Sequence, residues 1–432
     1  TFSFCTSTPL PGERSRVTID RERAIVRAKD ILKRNGVDPS IYLNVASLAT
    51  NVSVEEMQYL FEQRKLAATL DLASVTQPGF IWSVRFFRFL DPTEYKVEMY
   101  GDGREYSFDI TEDDDAPGAS ISKPEAEKLA LAYVHRVHPE YKDVVLDKSS
   151  WSKRKNRADY DVECKVPTLK VGEADYKITL QVVGNVPCNF SQAWQLPQKW
   201  RFERSKETSK DHIFKGMRDV AYYVMGGLSL WWGIGILRSG AVRWRPGIFI
   251  GIAAGLLVIP EEFNHWPVLL NQYTDSSLSQ PAFVFNQLLA LVKDSTGKMV
   301  ATFVSVTLGL AVYRLLSPKL GIMSVVKAAF RPSGVAPRLM QQQMWLDGIL
   351  VAMAWAGLNQ SKDSLLDFAL SWFSPEIRTA SLSSLANLTD FIFPVASDLI
   401  ELAPSLLGAA TMALIGAGLY NKYIPRFSFF VI

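Results

Sequence analysis

Charge is spread very unevenly along the 432 residues, and this constrains the fold more than any other feature. The first 218 residues hold 33 Lys and Arg and 32 Asp and Glu, about 30% charged, whereas the remaining 214 hold 14 and 12, about 12%. A stretch of two hundred residues that is apolar throughout, with Trp, Gly and Pro scattered in it, reads as a polytopic membrane protein rather than a second water-soluble core. The chain is therefore expected to divide between two solvents. Collagen-like and disordered chains are excluded, and a net charge of +3 without a sustained basic run gives no reason to expect nucleic acid as partner. Cys5, Cys164 and Cys188 show no Cys-x-x-Cys spacing, so neither a zinc site nor a redox motif is indicated, and no cofactor is expected.

In the charged half, Asp20 precedes Ala24, Ile25, Ala28, Ile31 and Leu32 at helical spacing, and Asn35-Gly36 follows, which predicts a capped amphipathic helix over 20–35. A second helix is expected over 54–64. The runs 82–88, 95–100 and 105–110 alternate apolar and polar side chains, and Gly101-Asp102-Gly103 supplies a hairpin turn with positive-φ residues. The plan then recurs. Ser122-Lys123-Pro124-Glu125 is a capping box, and strand-like runs follow at 160–166, 176–183 and 189–195. The expected fold is a duplicated α+β soluble domain, helix plus antiparallel sheet twice over, with modules at 1–111 and 112–218 and each helix covering its own sheet. Glu112 to Asp115 and Lys153 to Lys155 read as solvated loop clusters, and His135 and His138 as surface residues. Cys164 and Cys188 lie in strand-like segments, and a disulfide and two buried free thiols remain as alternatives.

The remainder, 219–432, is expected to be an all-α polytopic transmembrane bundle of about five spans: 219–237, 246–259, 282–316, 344–358 and 394–420. The third, interrupted by Lys293 to Lys298, is either one long tilted helix or a short interfacial piece followed by a span. The first and third loops carry Arg238, Arg243, Arg245 and Arg314, Lys319, Lys327, Arg331, Arg338, while 261–281 carries no Lys or Arg. The positive-inside rule places those basic loops and the carboxyl end in the cytoplasm and the charged half outside it. The partners expected are the lipid bilayer and other membrane protein subunits.

Several strings taken in order carry a resemblance: Val17-Thr18-Ile19-Asp20-Arg21-Glu22, Trp82-Ser83-Val84-Arg85-Phe86-Phe87-Arg88, Asp114-Asp115-Ala116-Pro117-Gly118-Ala119-Ser120, Trp244-Arg245-Pro246 and Asn271-Gln272-Tyr273-Thr274-Asp275. They resemble the long bacterial membrane proteins that end in a CAAX-protease-like (CPBP, Abi) intramembrane endopeptidase domain. The resemblance implies an inner-membrane location and an amino-terminal anchor upstream of Thr1. It also implies a Glu-Glu-x-x-x-Arg block, whose paired carboxylates activate water, with later His and Asn stabilising the oxyanion. The only adjacent Glu pair near a span is Glu261-Glu262, and Trp266 stands where the Arg belongs. No catalytic residue is carried over. Either the protease domain lies beyond Ile432, or this branch has lost it.

The polar candidates that remain are Glu261, Glu262 and His265 at the outer end of the second span, with Glu262 and His265 on one helix face, and Asp398 and Glu401 near the start of the last. For Glu261, Glu262 and His265 a metal or proton site is one reading, and a wetted membrane interface beside Trp266 is the other; for Asp398 and Glu401 the readings are an entrance vestibule or helix contact and a proton or ion path.

Overall fold

The computed structural model describes residues 16–206 and 209–316, together with Ile392, Phe393, Val395 and Ile400. The expected fourth span lies outside the described residues, as does nearly all of the fifth.

Helix α1 (Arg21–Arg34) begins where the Asp20 carboxylate accepts the Arg23 N–H at 2.8 Å, and it ends at Asn35 with Gly36 at φ +82°. Its buried side chains Ala24, Ala28, Ile31 and Leu32 pack on one face of sheet 1. That sheet is antiparallel throughout, in the order β1 (Leu43–Thr50), β2 (Phe80–Phe87), β3 (Glu94–Tyr100), β4 (Glu105–Thr111). Sheet 2 has the order β5 (Val145–Lys153), β6 (Ala158–Val171), β7 (Ala174–Val183), β8 (Val186–Gln195), also antiparallel, and is covered by α3 (Lys123–Val137). Two four-stranded sheets, each with a leading helix, match the expected doubling. Strands β1 and β5 escape the sequence reading because β1 is rich in small residues and β5 is a largely exposed polar edge.

Helix α2 (Val54–Thr76) corrects the expectation twice. It runs past Arg64, continuing beyond a break at Lys65, which has φ +63°. It also covers sheet 2, although it stands between β1 and β2 of sheet 1: Met57, Tyr59, Leu60 and Ala73 belong to the sheet 2 core. Hydrogen bonding explains the assignment. The last turn of a helix leaves carbonyls without intrahelical donors. Here the Val75 carbonyl accepts from Tyr141 Oη at 3.3 Å, and that of Thr76 accepts from Tyr176 Oη at 3.0 Å and Gln192 Nε2 at 3.2 Å. At the other end the half-buried Glu56 carboxylate accepts from Gln77 Nε2 at 2.6 Å and the Trp194 N–H at 3.3 Å.

The two sheets meet where β4 lies beside β8. Asn189, at φ +54°, uses its side-chain amide as a piece of strand: Oδ1 accepts the Ile110 N–H at 2.9 Å and Nδ2 donates to the Ile110 carbonyl at 3.3 Å. Asn tolerates this left-handed backbone better than most residues. The exposed edge of β4 is thereby satisfied locally.

Other local expectations need correction. The Ser122 side chain makes no cap hydrogen bond, so the capping box does not form. Only Gly103 of the hairpin turn has positive φ, at +84°; Gly101 is needed because the Arg16 carbonyl sits where a Cβ would be. His138 is fully buried, with Nε2 at 2.9 Å from the Tyr106 carbonyl and its ring stacked on Phe190, while His135 is exposed. The acidic and basic clusters lie in solvated loops as expected and also pair with each other: Arg154 with Asp114 at 2.9 Å and Lys155 with Asp115 at 3.1 Å. Nearby Arg157 is buried against Glu112 and Asp159. Cys164 and Cys188 are free and buried, in the sheet 2 and sheet 1 cores respectively, so the disulfide alternative falls. Burial pushes their thiols up to about 11 and about 12.

After the short α4 (Gln198–Ser205), three stretches are long and apolar enough to cross a membrane: Gly216–Arg238, Trp244–Asn264 and Gln280–Leu315. They form α5 (Ser209–Arg238), α6 (Trp244–Leu256) continuing into α7 (Val258–Asn264), and α8 (Gln280–Leu316). Helix α8 is unbroken, which selects the single long helix; at ~1.5 Å per residue it is roughly 55 Å long. Gly247, Gly251 and Gly255 recur every four residues along α6, where the α8 backbone comes so close that added Cβ atoms at Gly251 and Gly255 would lie 2.8 Å from the Met299 carbonyl oxygen and 2.9 Å from that of Ser295. Small residues at this spacing let membrane helices touch.

Gly251→Leu is expected to destabilise the α6–α8 pair by about 1–3 kcal/mol, seen as a lower thermal midpoint in detergent. Iodoacetamide at pH 8 is expected to leave Cys164 and Cys188 unmodified in the folded chain and to alkylate both after denaturation, as peptide mass spectrometry would show.

Candidate functional site

Sheet 1 has an apolar face toward α1 and, on its other face, an apolar corner beside polar residues such as Ser83, Lys96, Glu98 and Asp109. The even-numbered residues of β2, Phe80, Trp82, Val84 and Phe86, pack toward α1, and so do Ala46 and Leu48 of β1. The odd-numbered Val45 and Phe87 point the other way and form a separate small core with Tyr273 and Phe283. Strand geometry requires this alternation, and an apolar corner on the otherwise polar side must find its own cover. The cover is the segment between the second and third membrane-length helices, a 3₁₀ turn at Trp266–Gln272 followed by Tyr273 and the start of α8.

Tyr273, 1% exposed, is the centre of the joint. Its ring stacks on Phe87 with centroids 5.1 Å apart and meets Phe89 and Phe283 edgewise at 4.7 and 5.5 Å. Its hydroxyl donates to the Leu278 carbonyl at 2.9 Å and accepts the Leu90 N–H at 3.3 Å. Leu90 has φ +61°, an unfavourable backbone for a branched side chain, so the hydroxyl holds a strained turn. Burying an aromatic side chain of this size is worth about 1.5–3 kcal/mol.

Arg85 completes the joint. Its guanidinium spans both Glu94 oxygens at 2.6 Å each, donates to the Tyr273 carbonyl, and lies 4.7 Å from the Phe87 ring centroid. The Arg85 and Glu94 side chains are only 14% and 26% exposed, so this planar, bidentate pair is stronger than an ordinary surface ion pair. Nearby, the Ser277 hydroxyl and amide hold the Asp275 carboxyl below the usual range.

A cavity of about 470 Å³ adjoins the joint. Phe263, Trp266, Leu269, Leu270, Phe283 and Leu288 supply most of its wall, and Asn44, Glu262, Gln280 and Gln287 its polar atoms. Of the sequence candidates, Glu262 lines this cavity. Glu261 and His265 stand half-buried on and just after the same short helix and are not among its lining residues. Asp398 and Glu401 lie outside the described residues. Among the described residues no group of three or more His, Cys, Asp and Glu is placed to hold a metal ion.

Asn264 fixes one further strand of chain here: its side chain accepts the Phe393 N–H at 2.6 Å and donates to the Phe393 carbonyl at 2.9 Å, and its carbonyl accepts the Ile392 N–H at 2.9 Å. The stretch just before the expected last span therefore meets the end of α7. Sequence reasoning did not single out Arg85, Tyr273 or Asn264. The signal was present for two of them, because Arg85 and Tyr273 lie in two of the strings that carry the family resemblance, and those strings meet in space.

No family model, curated protein or solved structure matches the chain.

Tyr273→Ala is expected to uncover the Val45 and Phe87 corner of sheet 1. Amide hydrogen exchange in Leu43–Thr50 and Phe80–Phe87 should quicken by two orders of magnitude or more, consistent with the roughly 3–5 kcal/mol lost when a buried aromatic is truncated, while β6 and β7 keep their protection. Unchanged exchange in β1 and β2 would show that the joint carries no load.

Proposed function

We propose that this is a bacterial inner-membrane protein whose duplicated α+β unit is fastened to the outer membrane surface, and that over the described residues it acts as a non-enzymatic accessory component of a larger membrane assembly. The joint at Arg85 and Tyr273 supports this reading best. A soluble domain bolted to the loop between two membrane-length helices has a fixed orientation over the bilayer, as a docking component requires. The faces of α5 point the same way. Between Gly216 and Arg238 only 6% of the most apolar window is buried, with Tyr223, Trp231 and Trp232 exposed, which leaves a large surface for lipid or neighbouring chains.

The placement of charge supports an extracytoplasmic unit. Arg314, at the end of α8, donates to the Ala241 carbonyl at 2.8 Å, which brings it to the same end of the helices as Arg238, Arg243 and Arg245. The loop lacking Lys and Arg is at the opposite end, against sheet 1. The positive-inside rule then puts the sheets outside.

The second reading is an intramembrane endopeptidase of the CAAX-protease-like group. The meeting of the Trp82–Arg88 and Asn271–Asp275 strings favours it, since a family signature split over 188 residues makes physical sense if both halves build one joint. Glu261-Glu262 without a following Arg gives that reading no catalytic block within the described residues.

Native mass spectrometry of the protein extracted in mild detergent is expected to show assemblies containing other membrane chains; a lone monomer that cleaves a membrane peptide in liposomes would replace the accessory reading with the protease. Ser276→Cys should react with a membrane-impermeant maleimide on intact cells, and Ser239→Cys only after lysis. The reverse pattern would invert the topology.

A further inference from the structure

On the side of sheet 1 that carries α1, a cleft of about 490 Å³ opens between α1, the β3–β4 turn and the end of α3. Arg27, Asp30 and Arg34 come from α1, Arg104 from the turn and Arg136 from α3, so both halves of the duplicated unit contribute. At its floor lies Glu105, whose side chain is only 8% exposed. One of its oxygens, Oε2, is approached by Arg34 at 3.5 Å and Arg136 at 3.6 Å, both long for charge-assisted contacts. The other, Oε1, is buried with no hydrogen-bond partner. Burying a carboxylate oxygen without a donor is costly. At the rim Arg104 is engaged by Asp102 at 2.8 Å, whereas Arg27 has no carboxylate partner among the described residues.

We infer that this cleft binds a small zwitterion of the amino-acid or short-peptide type, its ammonium drawn to the Glu105 and Asp30 carboxylates and its carboxylate held by Arg27 with Arg34 and Arg136. The charge pattern selects the class. A plain anion would meet the arginines but would also face the Glu105 and Asp30 carboxylates, and a plain cation would meet those carboxylates while facing Arg27, Arg34 and Arg136. A ligand with both charges a few ångströms apart meets both sets. The volume suits a molecule of dipeptide size, at the small end of ligand pockets. This inference is independent of the accessory and protease readings, since the cleft lies on the opposite face of sheet 1 from Tyr273.

Isothermal titration of the purified full chain in detergent provides the test, with glycylglycine as the zwitterion, N-acetylglycine lacking the ammonium, glycinamide lacking the carboxylate, and inorganic phosphate as a plain anion. Glycylglycine is expected to bind at least tenfold more tightly than each of the other three. Arg27→Ala changes an exposed side chain remote from the core and should weaken glycylglycine at least tenfold while leaving the thermal midpoint in place. Glu105→Gln should erase the preference for glycylglycine over N-acetylglycine. Absence of binding by every probe, phosphate or N-acetylglycine binding as tightly as glycylglycine, or Arg27→Ala without effect would each overturn the inference.

Discussion

The far face of sheet 1 is polar across β3 and β4 but carries an apolar corner at Val45 and Phe87, and the architecture depends on how that corner is covered. β2 buries Trp82, Val84 and Phe86 against α1 on one side and Phe87 on the other, so α1 alone leaves the Phe87 corner uncovered. Elsewhere on that face the sheet alternates as a solvated face should, with Lys96 paired to Glu98 and Asp109. Here the cover comes from the segment between two membrane-length helices, through Tyr273, Leu269, Leu270 and Phe283. The sheet unit and these helices are thus parts of one hydrophobic structure, and Arg85 adds a directional lock to an otherwise non-directional contact.

The same principle ties the two sheets together. Helix α2 is encoded between two strands of sheet 1 and spends its apolar face on sheet 2, where Tyr141, Tyr176 and Gln192 close its carboxyl end. Asn189 stitches β8 to Ile110 of β4. The duplicated modules are interleaved, each completing the other, which makes independent folding of either unfavourable.

Much of this was legible in the sequence where the signal is local. The Asp20 cap, the glycine after α1 and the alternation in β2 to β4 and β6 to β8 read directly because each depends on a few neighbouring residues. Strand β1 was hidden by Ala46, Ser47 and Ala49, whose small side chains carry little hydrophobic contrast, and β5 by its exposure at a sheet edge. Helix α2 looked shorter than it is because Lys65 leaves helical geometry in the middle of it. His138 looked like a surface residue because nothing in its neighbourhood reveals that Tyr106 and Phe190 close over it. Of the candidate site, Glu262 was found through its position at the end of a span. Its cavity was not, because that depends on a contact between Phe87 and Tyr273, and no local pattern encodes a pairing over such a separation.

The central claim is that the sheet unit is held in one orientation over the membrane helices. Spin labels at Val26→Cys on α1 and Val300→Cys on α8, both exposed positions, measure it directly by pulsed electron–electron resonance in lipid nanodiscs. A single narrow distance distribution is the result a fastened joint gives. A broad or multimodal distribution would show a unit swinging freely on its tether, and would contradict the account.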